Sequence, residues 1–273
     1  MSLEDLPPLR DVLAGAGLLA DKRFGQHFLL DLNITRTIVR LAGPLEGQAV
    51  LEVGPGPGGL TRALLEAGAL VTAVETDARF LPILAALSAA ADGRLSVIQA
   101  DALPVDEMAL LGGVAAHVVA NLPYNVGTPL LIKWLTGAFR PLSMTLMFQK
   151  EVAERIVAGV GEDAYGRLAV ITQALCRAEK VMDLPARAFT PPPKVASAVV
   201  RLTPLAEPAS DALATALQRV TQAAFGQRRK MLRSSLKTLG GAALCARAGI
   251  DPDARAETIS VAGFLALAAA SLG

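Results

Sequence analysis

"LEVGPGPGGLT", residues 51–61, decides how this chain folds. The apolar run just before the glycines, "AVLEVG" (49–54), reads as a short strand. The stretch after them, "GLTRALLEAG" (59–68), has helical spacing and ends on a glycine suited to a C-cap. A strand that enters a helix through Gly54, Gly56 and Gly58 can turn sharply and bring its backbone close to a ligand. The free N–H groups that open the helix add an anchoring point. The spacing is G-x-G-x-G, and Gly59 completes the G-x-G-x-x-G pattern of dinucleotide loops. By itself such a loop does not specify its ligand.

Outward from it, strand-like and helix-like runs alternate. "LVTAVET" (70–76), "LSVIQAD" (95–101), "HVVANL" (117–122) and "MTLMFQ" (144–149) read as strands. "ARFLPILAALSAA" (78–90) and "TPLLIKWLTG" (128–137) read as helices. This βαβα order predicts an α/β fold with a parallel sheet covered by helices on both faces. "ASAVVRLTPL" (196–205) is one more strand. Beyond "PLAEPAS" (204–210) the strand signals stop and residues 211–273 read as helices, which puts a domain boundary near 205.

Acidic residues stand where such a sheet would gather them. Glu52 precedes the glycine loop, where an amine could be met. Glu75 ends the second strand, where a carboxylate can accept two bonds from ribose hydroxyls. Asp101 ends the third and could meet an adenine amino group, or simply form the turn in "DALP". In an open parallel sheet these ends line one crevice. A ligand with adenine and ribose is implied, which leaves a nicotinamide cofactor and S-adenosylmethionine as candidates.

The fourth strand runs into "NLPYN" (121–125). An exocyclic adenine nitrogen is nearly planar and a poor nucleophile. The Asn121 side-chain carbonyl and a backbone carbonyl at Leu122 or Pro123 could accept its two hydrogens. Both bonds favour a tetrahedral nitrogen with its lone pair turned to a methyl donor. Tyr124 offers a ring for the base to stack on, worth roughly 1–3 kcal/mol. A base held in this way must leave its helix.

Composition narrows the class. The chain has 273 residues, 52% of them hydrophobic, and a net charge of +1. No apolar run reaches the roughly 20 residues that span a bilayer, and the acidic, proline-containing start is not a signal peptide. Cys176 and Cys245 form no CxxC pair, so a reduced, cytoplasmic protein without a metal site is expected. Nothing in the residues signals an oligomer, and a monomer is expected.

Seven motifs together resemble a known family. They are "GQHFL" (25–29), "LEVGPGPGGLT", "VETD" (74–77), "AD" (100–101), "NLPYN", "FQKEVAERI" (148–156) and "FTPPPKVASAVV" (189–200). In residues, order and spacing they are similar to the S-adenosylmethionine-dependent rRNA adenine N6-dimethyltransferases. The branch most like them acts on small-subunit rRNA, and its loss confers kasugamycin resistance. The resemblance implies a Rossmann-like class I methyltransferase fold over 22–205, after an N-terminal extension (1–21). A smaller helical rRNA-binding domain would follow over 206–273. It implies N6-dimethylation of two adjacent adenosines near the 3′ end of 16S rRNA during small-subunit biogenesis. By the family pattern, His27, Leu29, Gly54, Gly56, Glu75, Asp101 and Asn121 would hold S-adenosylmethionine. Asn121, Leu122, Pro123 and Tyr124 would hold the adenine, and Phe189 would stack on its other face. His27 departs from the family's usual Asn, which leaves the detail of that contact open.

Between Asp211 and Asp251 no acidic residue balances seven basic ones, among them Arg228, Arg229, Lys230 and Arg233. On one helix, Arg229 and Arg233 would share a face. This run is the expected RNA-binding surface, with Lys22 and Arg23 as possible additions, and the partner that the resemblance implies is the 30S subunit. The alternative within the same chemistry is the large-subunit adenine methylase of the macrolide-resistance type, whose members are usually more basic. A nicotinamide oxidoreductase would need a catalytic His, Lys or Tyr, and neither His27 nor His117 is well placed. A binding or assembly factor without catalysis would not need Asn121 intact.

Overall fold

The computed structural model describes residues 3–18, 26–227 and 229–273. Helix α1 (Leu9–Gly15) comes first, then strand β1 (Phe28–Leu29) and helix α2 (Leu32–Ala42), which is capped by the Asp31 carboxylate accepting from Asn33 N–H. The alternating region follows as β2 (Ala49–Val53), α3 (Gly59–Glu66), β3 (Leu70–Glu75), α4 (Leu81–Ala90), β4 (Leu95–Gln99), α5 (Glu107–Leu110), β5 (His117–Asn121), α6 (Gly127–Thr136) and β6 (Met144–Gln149). Then come α7 (Lys150–Val157), α8 (Arg167–Leu175), β7 (Cys176–Leu184), β8 (Phe189–Thr190) and β9 (Ser197–Pro204). Four helices close the chain: α9 (Asp211–Gly226), α10 (Leu232–Ser235), α11 (Gly241–Ala248) and α12 (Val261–Ala270).

The main sheet has seven strands in the order β4-β3-β2-β5-β6-β9-β7. β2 pairs in parallel with β3 on one side and with β5 on the other. β4 extends the sheet beyond β3 and β6 beyond β5, again in parallel. The strand order therefore reverses between β2 and β5, which is where an open α/β sheet gathers a ligand site. β9 joins β6 antiparallel, so the sheet is mixed rather than wholly parallel. The central strands carry Val50, Leu51, Val118 and Val119, all buried, as expected of strands covered on both faces. This is the Rossmann-like α/β arrangement expected from the motif order.

Three strands were not among those expected. β1 and β8 are two residues each and pair antiparallel, Phe28 with Thr190 and Leu29 with Phe189. β7 is "CRAEKVMDL" at the end of the sheet order, a charged strand without apolar alternation. Charged side chains on an edge strand blunt unwanted pairing, and they also erase its sequence signal.

The chain divides into two compact units. One takes the chain as far as Ala153 together with Lys180–Leu202; the other takes Glu154–Glu179 and Thr203–Gly273. Sequence reasoning gave the second unit only the residues after 205. The segment it missed contains α8, which packs against α9, while Tyr165 donates its hydroxyl proton to Ile259 O at 2.8 Å and packs edge-on against Phe225. No described helix is long and apolar enough to cross a membrane.

Candidate active site

The carboxyl ends of β2, β3, β4 and β5 open onto one cavity. His27, Leu29, Gly54, Gly56, Glu75, Asp101, Asn121, Leu122, Pro123 and Tyr124 all line it, and so does Glu52. Residues spread over almost a hundred positions meet here because the carboxyl ends of the parallel strands converge, with His27 and Leu29 added from β1 and the residue before it.

The glycine loop is held from beneath by Glu75. Its Oε2 accepts from Gly56 N–H at 2.9 Å and its Oε1 from Asp77 N–H at 2.8 Å. Gly56 has φ of 54°, a left-handed conformation that glycine adopts without strain. Gly59 is required by close approach, since a Cβ there would lie 2.4 Å from Leu29 O. Burial pushes the Glu75 carboxyl above its usual range, although the N–H bonds from Asp77 and Gly56 oppose the shift. Each carboxylate oxygen keeps lone-pair capacity toward the cavity.

Glu52 is only 1% exposed. Burial pushes its carboxyl up to about 8, the nearby Thr61 hydroxyl opposing the shift and the neighbouring Glu75 charge adding to it. Its Oε2 is buried and makes no hydrogen bond. A buried orphan acceptor at a cavity wall is costly unless something satisfies it.

Asp101 is exposed, and its Oδ1 accepts from Leu103 N–H at 3.0 Å. The aspartate therefore forms its turn and still lines the cavity. Its loop is fixed by Lys133, whose ammonium donates to Ala102 O at 3.2 Å and to Val105 O, and pairs with Glu107 Oε1 at 2.8 Å. Buried Trp134 donates to the same Glu107 oxygen at 2.6 Å. Gln26, which sequence reasoning also passed over, lines the cavity and donates to Asp77 Oδ2 at 2.8 Å. Its only signal was its place in "GQHFL".

Asn121 ends β5. Its Nδ2 donates to His27 O at 3.4 Å. With the amide nitrogen turned to a carbonyl, Oδ1 is left as an acceptor for a donor in the cavity. Pro123 O is already used, accepting from Val126 and Gly127 N–H at 3.1 and 3.0 Å to start α6. Of the two backbone carbonyls considered from sequence, Leu122 O is therefore the better acceptor for an amine. The Tyr124 hydroxyl bonds Ser197 Oγ at 2.9 Å, and the Tyr124 ring stacks on His27 with centroids 5.6 Å apart. His27 Nδ1–H in turn donates to Pro191 O at 2.8 Å.

Phe189 does not join them. It is 3% exposed and packs in the apolar core with Leu29, its partner across β1 and β8. The ring packs among core side chains and is not among the residues that line the cavity.

The basic run is also rearranged. α9 ends at Gly226 and α10 begins at Leu232, so Arg229 and Arg233 do not share one helix face as expected. Arg229 and Lys230 are exposed between the helices. Arg233 is paired with Asp253 at 2.8 Å, a carboxylate just past the acid-free stretch. Arg228, Lys22 and Arg23 lie outside the described residues. Among the described residues no group of three or more His, Cys, Asp or Glu side chains could hold a metal ion.

Known proteins resemble this chain over nearly its whole length. The family model described as ribosomal RNA adenine dimethylase matches residues 17–271. A protein named ribosomal RNA small subunit methyltransferase A from Caulobacter vibrioides is 71% identical, over 93% of this chain and 98% of its own. One of the same name from Phenylobacterium zucineum is 67% identical, over 100% of this chain and 95% of its own. Among solved structures, a dimethyladenosine transferase from Plasmodium falciparum aligns with TM-score 0.73 at 26% identity, covering 88% of this chain and 96% of that one. The 23S rRNA methyltransferase ErmE aligns with TM-score 0.69 at 26% identity, covering 90% of this chain and 100% of that one.

Proposed function

The chain belongs to the ribosomal RNA adenine dimethylase family, and from that premise we propose that it uses S-adenosylmethionine to dimethylate the N6 amines of adenosines in small-subunit rRNA. The observation that carries this reading is the Asn121 amide, held with its nitrogen on His27 O and its oxygen left for an amine, at the rim of a cavity built from four strand ends. The residues present fit the methyl donor. Glu75 has acceptor capacity suited to ribose hydroxyls, Asp101 sits at the next strand end, and the orphaned Oε2 of Glu52 fits an ammonium group. When bound there, S-adenosylmethionine supplies a sulfonium methyl, electrophilic enough that no strong general base is needed.

The chain's own contribution is mainly positioning. Asn121 Oδ1 and Leu122 O accept the two amine hydrogens and draw the planar nitrogen toward a tetrahedral shape. Its lone pair is then exposed on the cavity side. The Tyr124 ring supports the base plane. The proton is lost to water after the transfer, and the same two acceptors serve the second methylation in turn, one hydrogen fewer being available. The target base must be flipped out of its stack to reach this depth.

Identity of 67–71% to relatives named for the small subunit, against 26% to a large-subunit methylase, favours the small subunit as substrate. Labelled methyl transfer to unmethylated small subunits, free large-subunit RNA and DNA tests this. Label in the small subunits as N6,N6-dimethyladenosine is the expected result. Label confined to large-subunit RNA would contradict it.

A further inference from the structure

We propose that Ser197 is a positioning residue for the target base, acting through Tyr124. The inference rests on the base-supporting role given to Tyr124 above. Tyr124 lies in the irregular turn between β5 and α6. Such a turn does not by itself fix a ring to the fraction of an ångström that base stacking demands. Ser197 supplies the missing rigidity. It is fully buried at the start of β9, in register opposite Gln149 of β6, so its Oγ is placed by the sheet and not by a loop. Its hydroxyl meets the Tyr124 hydroxyl at 2.9 Å. The ring's body is meanwhile stacked on His27 at an interplanar angle of 29°, and His27 is tied to Pro191 O. The ring is therefore pinned at its tip by a strand and along one face by an imidazole, which leaves the other face for a base. Burial pushes the Tyr124 phenol above its usual range, with the Ser197 bond opposing in part, so it remains a protonated partner at neutral pH.

The bond has a consequence for product. After the first transfer, the monomethylated base either leaves or stays to be turned for the second. A ring free to swing holds the base for less time and favours early release. Ser197→Ala, Tyr124→Phe and the double variant delete the same bond. Assayed on unmethylated small subunits at low conversion, all three should raise the ratio of monomethyl to dimethyl adenosine by the same roughly three- to tenfold, the worth of one neutral hydrogen bond. Affinity for S-adenosylmethionine, titrated without RNA, should stay within about twofold. The ratio does not depend on how much of each preparation is folded, so a loss of stability alone leaves it unmoved. A wild-type ratio in Ser197→Ala, or effects of the two single changes that multiply in the double, would overturn the proposal. A wild-type protein that methylates no adenosine would overturn the functional reading and this one with it, and is distinguished by the control alone.

Discussion

Single residues decide the chemistry of this cavity, and Glu52 is the one whose environment is most sharply defined. Its folded carboxyl holds a proton up to about 8, against an ordinary value of 4.5. Between those values the folded protein binds a proton that the unfolded chain has released, so stability falls as pH rises across that window. Burial raises Glu75 as well, and its share has the same sign. Glu52→Gln should remove the Glu52 share. The melting temperature of the ligand-free variant should then fall less than wild type between about pH 5 and about pH 8. Equal slopes would mean that Glu52 is not held as a buried acid. Sequence made Glu52, Glu75 and Asp101 legible because strand ends in a parallel sheet must converge. The packing of Phe189 was not legible, because an aromatic in a family motif carries no mark of which side it faces. Only the pairing of Leu29 with Phe189 across two-residue strands turns it to the core.

At the scale of elements, the cavity depends on how closely α3 and β1 approach. A side chain on Gly59 would strike the Leu29 backbone, so the helix that follows the glycine loop can dock only through glycine. In the neighbouring β8, Phe189 packs into the core. Phe189→Ala should therefore cost about 3–5 kcal/mol of stability, as large core truncations do. Denaturant unfolding measures it. Unchanged stability with lost activity would favour the base-stacking role that the motif implies. The long strands and helices around the loop were readable from periodicity and caps. β1 and β8 were too short to carry a pattern, and β7 carries charges where a strand signal needs apolar alternation. Asn121 was read correctly as a strand end, but the capture of Pro123 O by Val126 and Gly127 could be seen only once α6 was in place.

Across the whole molecule the question is how RNA is held. We expect phosphate contacts from Arg229 and Lys230, which are exposed between α9 and α10. The Arg229→Ala, Lys230→Ala double variant should weaken binding to small subunits. It should also lower the slope of log affinity against log salt by about one for each phosphate no longer neutralised. Arg233→Ala should do less, because Asp253 already neutralises that guanidinium. A slope identical to wild type in the double variant would reduce the run to a solvated face. The excess of basic residues was plain in the sequence, but its division was not. An acid-free stretch of chain can still fold against a carboxylate from beyond its end, as Arg233 does with Asp253.

The most direct test of the account is a comparison of wild type with Asn121→Ala on unmethylated small subunits, with nucleosides resolved after digestion. Wild type should yield N6,N6-dimethyladenosine. The variant should lose on the order of 100-fold or more in turnover, as when a positioned hydrogen-bonding group is removed from other active sites, while still binding the subunits. A variant that methylates at the wild-type rate would contradict the claim that this amide prepares the amine for transfer.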